Sequence, residues 1–147
     1  MTAVSNLGTI TELPNDAISG NNITSIVLPT TIRTFGINCI SRTHCSQLIF
    51  PYGVTTTSTD TLISQSLGSS IRYCQFPSTL QTFHAGNLFR DSGNNINCAF
   101  VIQATTPPSI SDYSSSNNSF GYGRPSLANW YVPDSVLQTY KTATGWS

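Results

Sequence analysis

Apolar residues recur in this chain as a phrase, repeated every 22 to 30 residues: a spaced hydrophobic triplet, then in most copies a proline and another hydrophobic residue. The copies are Ile23-Thr-Ser-Ile26-Val-Leu28-Pro29-Thr-Thr-Ile32, Cys45-Ser-Gln-Leu48-Ile-Phe50-Pro51-Tyr-Gly-Val54, Ile71-Arg-Tyr-Cys74-Gln-Phe76-Pro77-Ser-Thr-Leu80 and Leu127-Ala-Asn-Trp130-Tyr-Val132-Pro133-Asp-Ser-Val136. The last two members of each triplet are two residues apart. On a strand they share one face, because side chains alternate with a period of two. Each triplet therefore predicts a short strand, ended by a proline that has no N–H to donate to a ladder.

A second apolar set follows each proline: Ile32, Phe35, Cys39 and Ile40 in the first full copy, Leu80, Phe83, Asn87 and Leu88 in the third. In the second copy Val54, Thr57, Thr61 and Leu62 take those places, and Ile10, Leu13, Ala17 and Ile18 match only this half. One such coil cannot bury its apolar side alone, so repetition predicts stacking. The predicted inward rows are Ile26, Leu48, Cys74, Ala99, Trp130 and Leu28, Phe50, Phe76, Val101, Val132, with Ile96-Asn-Cys-Ala99-Phe-Val101 as the fourth strand. The expected organisation is one domain over 1–147. A partial coil covers 1–22, repeats cover 23–108, and a Ser/Asn/Gly-rich loop covers 109–126. The last coil and a cap cover 127–147, with a helical turn from about Pro133 to Thr142.

Composition agrees with a β reading. The chain has 38% apolar residues but only 8% charged, far below the roughly 25% of ordinary soluble domains. The polar remainder is mostly Ser, Thr, Asn and Gln, and helix formers are scarce. Six basic and six acidic residues cancel and lie scattered, so no electrostatic footprint for nucleic acid is present. Cys39, Cys45, Cys74 and Cys98 include no C-x-x-C pair and are expected as buried structural thiols, with no metal. The start of the chain has no basic region leading into an apolar run, so neither a secretory signal nor a membrane insertion is expected.

The L-x-x-L-x-L register resembles a leucine-rich repeat, and the fuller pattern from Ile23 to Ile40, with Phe35-Gly36 and Cys39-Ile40, resembles the BspA-type variant of that family. Ala104-Thr-Thr-Pro-Pro-Ser109 and the stretch from Tyr131 to Ser147 are similar to that family's closing segment and cap. The resemblance implies a mainly β, right-handed leucine-rich-repeat solenoid of about five short coils, with a parallel sheet on one side. It also implies a noncatalytic recognition or adhesion module. The family is common in surface proteins of anaerobic bacteria, and bacteriophages of such bacteria also carry domains of this kind; the low charge and Ser/Thr/Asn-rich composition would suit a virion. The expected function is a bacteriophage virion component, a head or tail fibre or decoration protein, that mediates assembly or host-surface attachment. The alternative is a bacterial surface adhesin or protein-interaction module. The expected partners are its own subunits, or a host surface protein or glycan, with no cofactor.

Two candidate contact regions follow. The outward ladder between the second and third triplet positions is Val27, Ile49, Gln75, Phe100 and Tyr131, apolar at four of five places. A contiguous apolar row on a solvent face marks an interface more often than chance. Its neighbour, Ser25, Gln47, Tyr73, Cys98 and Asn129, is mainly polar. The second region is the 109–126 loop, where Tyr113, Phe120, Tyr122 and Arg124 stand among Ser, Gly and Asn, a composition used by recognition loops. No G-x-S-x-G, H-E-x-x-H or Walker-type loop is present, and the carboxylates have no acid–base spacing, so catalysis is not expected.

Overall fold

The computed structural model describes residues 2–4, 7–20, 22–41, 43–57, 63–64, 71–84, 89–90, 98–111 and 129–146. Fourteen short strands and one short α-helix lie among them, so the fold is mainly β. The strands are β1 (Thr2–Val4), β2 (Glu12–Leu13), β3 (Ile18–Ser19), β4 (Ile23–Ile26), β5 (Thr34–Phe35), β6 (Ile40–Ser41), β7 (Gln47–Ile49) and β8 (Ile63–Ser64). They continue with β9 (Tyr73–Phe76), β10 (Thr82–His84), β11 (Phe89–Arg90), β12 (Ala99–Ile102), β13 (Ser109–Ser111) and β14 (Asn129–Tyr131). A 3-10 turn, Asp134–Val136, leads into the helix α1, Leu137–Thr142, where the sequence predicts a helical turn.

Every ladder among the described strands is parallel, and β7, β9, β12 and β14 pair in sequence order from one copy of the phrase to the next, while β4 pairs with β1 instead of β7. Two sheets have four strands, ordered β14-β12-β9-β7 and β11-β8-β6-β3; the pairs β1-β4, β2-β5 and β10-β13 complete the set. The prolines set the turn that follows the strands. Ile32 donates its N–H to Pro29 O, Val54 to Pro51 O, Leu80 to Pro77 O and Val136 to Pro133 O, at 3.0–3.3 Å. Four copies of Pro-x-x-apolar thus form the same i→i+3 turn. The proline fixes φ at the corner, and the apolar residue three places on turns inward, buried at Ile32, Val54 and Leu80 and half-buried at Val136.

The core is a row of rings and branched side chains running from copy to copy. Phe35 meets Phe50 edge-on at 5.2 Å, and Phe50 stacks on Phe76 at 4.9 Å with planes 13° apart. Phe76 meets Phe83 edge-on at 5.1 Å, and Phe83 meets Trp130 at 5.9 Å. Each such pair adds about 0.5–1.5 kcal/mol beyond area burial. Thr57 takes the place of a phenylalanine in one inward row. Its buried hydroxyl accepts from His84 N–H at 2.7 Å, which satisfies a polar group that would otherwise be costly there.

The structure shifts the expected register of the fourth strand by one residue. Leu48 pairs with Cys74, Cys74 with Phe100, and Phe100 with Trp130, so Phe100 and not Ala99 occupies the inward row. Phe100 and Ile102 are fully buried, while Ala99 and Val101 are half-buried. Cys98, expected outward, is also buried. The cause lies in Ala99-Phe-Val-Ile102, a continuous apolar run in which alternation cannot assign the faces, with Gln103 where other copies carry proline. The larger ring takes the interior because Trp130 stacks on it, with centroids 4.4 Å apart and planes 17° apart. Ser109–Ser111, expected as loop, forms β13 against β10.

Candidate partner-binding surface

The outer side of the β14-β12-β9-β7 sheet presents two residues from each strand: Gln47 and Ile49, Tyr73 and Gln75, Ala99 and Val101, Asn129 and Tyr131. These follow from the buried residues between and beside them, because a strand that buries Leu48 and Phe50 must turn Gln47 and Ile49 outward. The more apolar row is Ile49, Gln75, Val101 and Tyr131, in register across four strands. Ile49 is 43% exposed and Tyr131 53%. Val27, 60% exposed, lies just past β4, and Tyr52 stands 71% exposed after Pro51.

None of the eight outward residues carries a charge. Tyr73 donates its hydroxyl to Gln75 Oε1 two residues along the same strand, which holds both side chains against the sheet. Arg72, the nearest base in sequence, donates Nη1 to Ile71 O at 3.2 Å. Desolvating this face therefore strips no ion of its water, the largest cost an interface can carry. With strands about 4.8 Å apart, four of them span about 14 Å. Two outward residues per strand extend about 7 Å the other way. With its side chains the patch is at most a few hundred Å², against roughly 800 Å² per partner of a standard interface, so the rows can form the centre of a contact but not all of it.

Val27, Ile49, Gln75 and Tyr131 stand on the outside as the sequence places them. Phe100 does not: it is wholly buried, and Val101 takes its place in the outward row. Val101 escapes sequence reasoning because its neighbours on both sides are equally apolar. Tyr113, Phe120, Tyr122 and Arg124 lie outside the described residues.

The other chemistry-bearing groups are held by packing. All four cysteines are free and buried. Desolvation pushes the Cys39 and Cys98 thiols up to about 12 and raises those of Cys45 and Cys74. A thiol held protonated is neither a nucleophile nor a metal ligand. Among the described residues no group of three His, Cys, Asp or Glu side chains could hold a metal ion. No described helix is long and apolar enough to cross a membrane.

Parallel pairing brings His84 against Ser111, 27 residues on, where the ring Nδ1 and the serine hydroxyl share a hydrogen bond. No sequence spacing pointed to this pair. A hydroxyl beside an imidazole is the first element of a nucleophile–base pair. Here it continues an inter-strand polar row, in which Ser109 Oγ donates to Gln81 O and sits 3.3 Å from Thr82 Oγ1. We read it as a staple between β10 and β13. Comparisons with known proteins find no matching family model, no matching curated protein and no matching solved structure.

Proposed function

We propose that this protein is a leucine-rich-repeat-type solenoid of the BspA variant that acts as a noncatalytic structural and recognition protein, through the outer face of the β14-β12-β9-β7 sheet. Its most concrete setting is a bacteriophage virion, as a fibre or decoration component that assembles with its own subunits or attaches to a host surface. The observation that carries the reading is the uncharged face itself: eight outward residues on four strands, with Ile49, Val101 and Tyr131 in one registered row. A chain that needed this side only for solvation would gain solubility from charges there, and it has none.

The molar mass of the purified protein, by size-exclusion chromatography with light scattering, tests the reading. A defined oligomer that Ile49→Lys and Tyr131→Lys each dissociate supports an assembly component. A monomer would move the face to a foreign partner and favour the surface-adhesin reading. An oligomer that both variants leave intact overturns the use of this face.

A further inference from the structure

A cleft of about 170 Å³ lies where the C-terminal helix meets the end of the sheet, lined chiefly by Trp130, Val132, Leu137, Tyr140, Lys141 and Trp146. Its walls are aromatic rings in mutual contact. Trp130 and Trp146 meet edge-on at 5.8 Å, and Tyr140 meets Trp146 edge-on at 5.2 Å. The chain itself uses two of the polar atoms on these walls: Trp146 Nε1 donates to Pro108 O at 2.8 Å, and Tyr140 Oη to Ala104 O at 2.9 Å. Apart from the Trp130 indole N–H, the lining side chains therefore present carbon and ring surface, plus a single cation. Lys141 is the only lysine of the chain; it is exposed, and its ammonium has no partner among the described residues.

Size and chemistry together narrow the occupant. Small-molecule sites run to about 300–1,000 Å³, so this cleft is on the scale of one large side chain. A sugar would need several directed polar partners beside the aromatic surface, and one ammonium does not supply them. An apolar side chain carrying one nearby negative charge satisfies every wall. At a chain terminus that charge is the α-carboxylate, which stays at the mouth when the side chain enters. An internal apolar residue carries no charge of its own, so only a chain terminus brings an apolar side chain and a carboxylate to the cleft on one residue. We propose that the cleft captures the C-terminal residue of a partner polypeptide when that residue is phenylalanine or leucine, with its side chain against Trp130 and Trp146 and its carboxylate on Lys141. This site is separate from the outward rows of the sheet.

The two tryptophans of the chain both line the cleft, so intrinsic fluorescence reports directly on it. The probe is N-acetyl-Ala-Ala-Phe, titrated as the free acid and as the C-terminal amide. The expected result is a saturable change with the acid and binding about fivefold weaker with the amide, the upper range for a solvent-exposed ion pair. Lys141→Gln should weaken the acid by the same factor and erase the difference between acid and amide. Leu137→Asp, at a position already 39% exposed, should abolish binding while leaving the unfolding midpoint in place. No saturable change at millimolar peptide, or equal binding of acid and amide to the unaltered protein, overturns the proposal. Neither result bears on the oligomer test of the sheet face.

Discussion

The rings of Phe100 and Trp130 lie 4.4 Å apart and 17° from parallel, one on β12 and the other on β14, 30 residues along the chain. This contact fixes which face of β12 is inside, and with it which residues a partner can touch.

Phe100→Lys should therefore unfold the protein, not merely dissociate it. A buried, unpaired ammonium belongs to the class of substitutions that cost 4 kcal/mol or more, against a total stability of about 5–15 kcal/mol for a typical domain. Phe100→Ala should cost about 3–5 kcal/mol through lost transfer energy and a cavity. Urea unfolding followed by far-UV circular dichroism reads both.

Ile49→Lys and Val101→Lys test the opposite side of the same strands. Ile49 is exposed and Val101 half-buried, so Ile49→Lys should stay within about 0.5 kcal/mol of the parent. Val101→Lys should cost somewhat more, since its stem still packs on the sheet. Both should remove any association that passes through this face, as read by light scattering on the folded variants.

Gly36 is fixed by close approach to the backbone and Gly53 chiefly by its positive φ. A Cβ at residue 36 would lie 2.5 Å from Asn15 N and 2.5 Å from Asn15 Oδ1, and that same Oδ1 accepts the Ile37 N–H at 2.8 Å. Gly36→Ala should cost about 1–3 kcal/mol by breaking this long-range bond. Gly53 has φ +95°, and a Cβ there would lie 2.6 Å from Arg33 Cζ. Gly53→Ala adds backbone strain to that clash and should destabilise by a similar amount. Thermal unfolding of the two variants measures both effects.

The buried thiols give the protein an alkaline limit. Cys39 and Cys98 are pushed up to about 12 from the ordinary 9.0, so the native state holds those protons more tightly than the unfolded chain does. Their contribution is complete below about pH 9 and is lost as pH rises from there toward 12. Urea midpoints should fall across that window, and less steeply in the Cys39→Ala/Cys98→Ala double variant. At pH 8 in native buffer, a maleimide should label none of the four thiols at the rate it does in urea.

Much of this molecule is legible along the chain. The triplets with their prolines mark β4, β7, β9 and β14, because a period of two with a terminating proline has one physical meaning. The exposed positions of Val27, Ile49 and Tyr131 follow from that same alternation, since each is flanked by residues that only a core would hold. Where alternation fails, in the unbroken apolar run of β12, local sequence leaves two registers open. Packing between neighbouring strands decides between them, since only one register places a ring beneath Trp130. The His84–Ser111 bond, the Asn15–Ile37 bond and the cleft between Trp130 and Trp146 join residues 16 to 27 positions apart. The sequence by itself determined β4, β7, β9 and β14, the prolines that follow them and most of the inward rows, because these depend on neighbours within a few residues. The tertiary structure alone decided the face of β12, the long-range bonds and the cleft, because these depend on which strand lies against which.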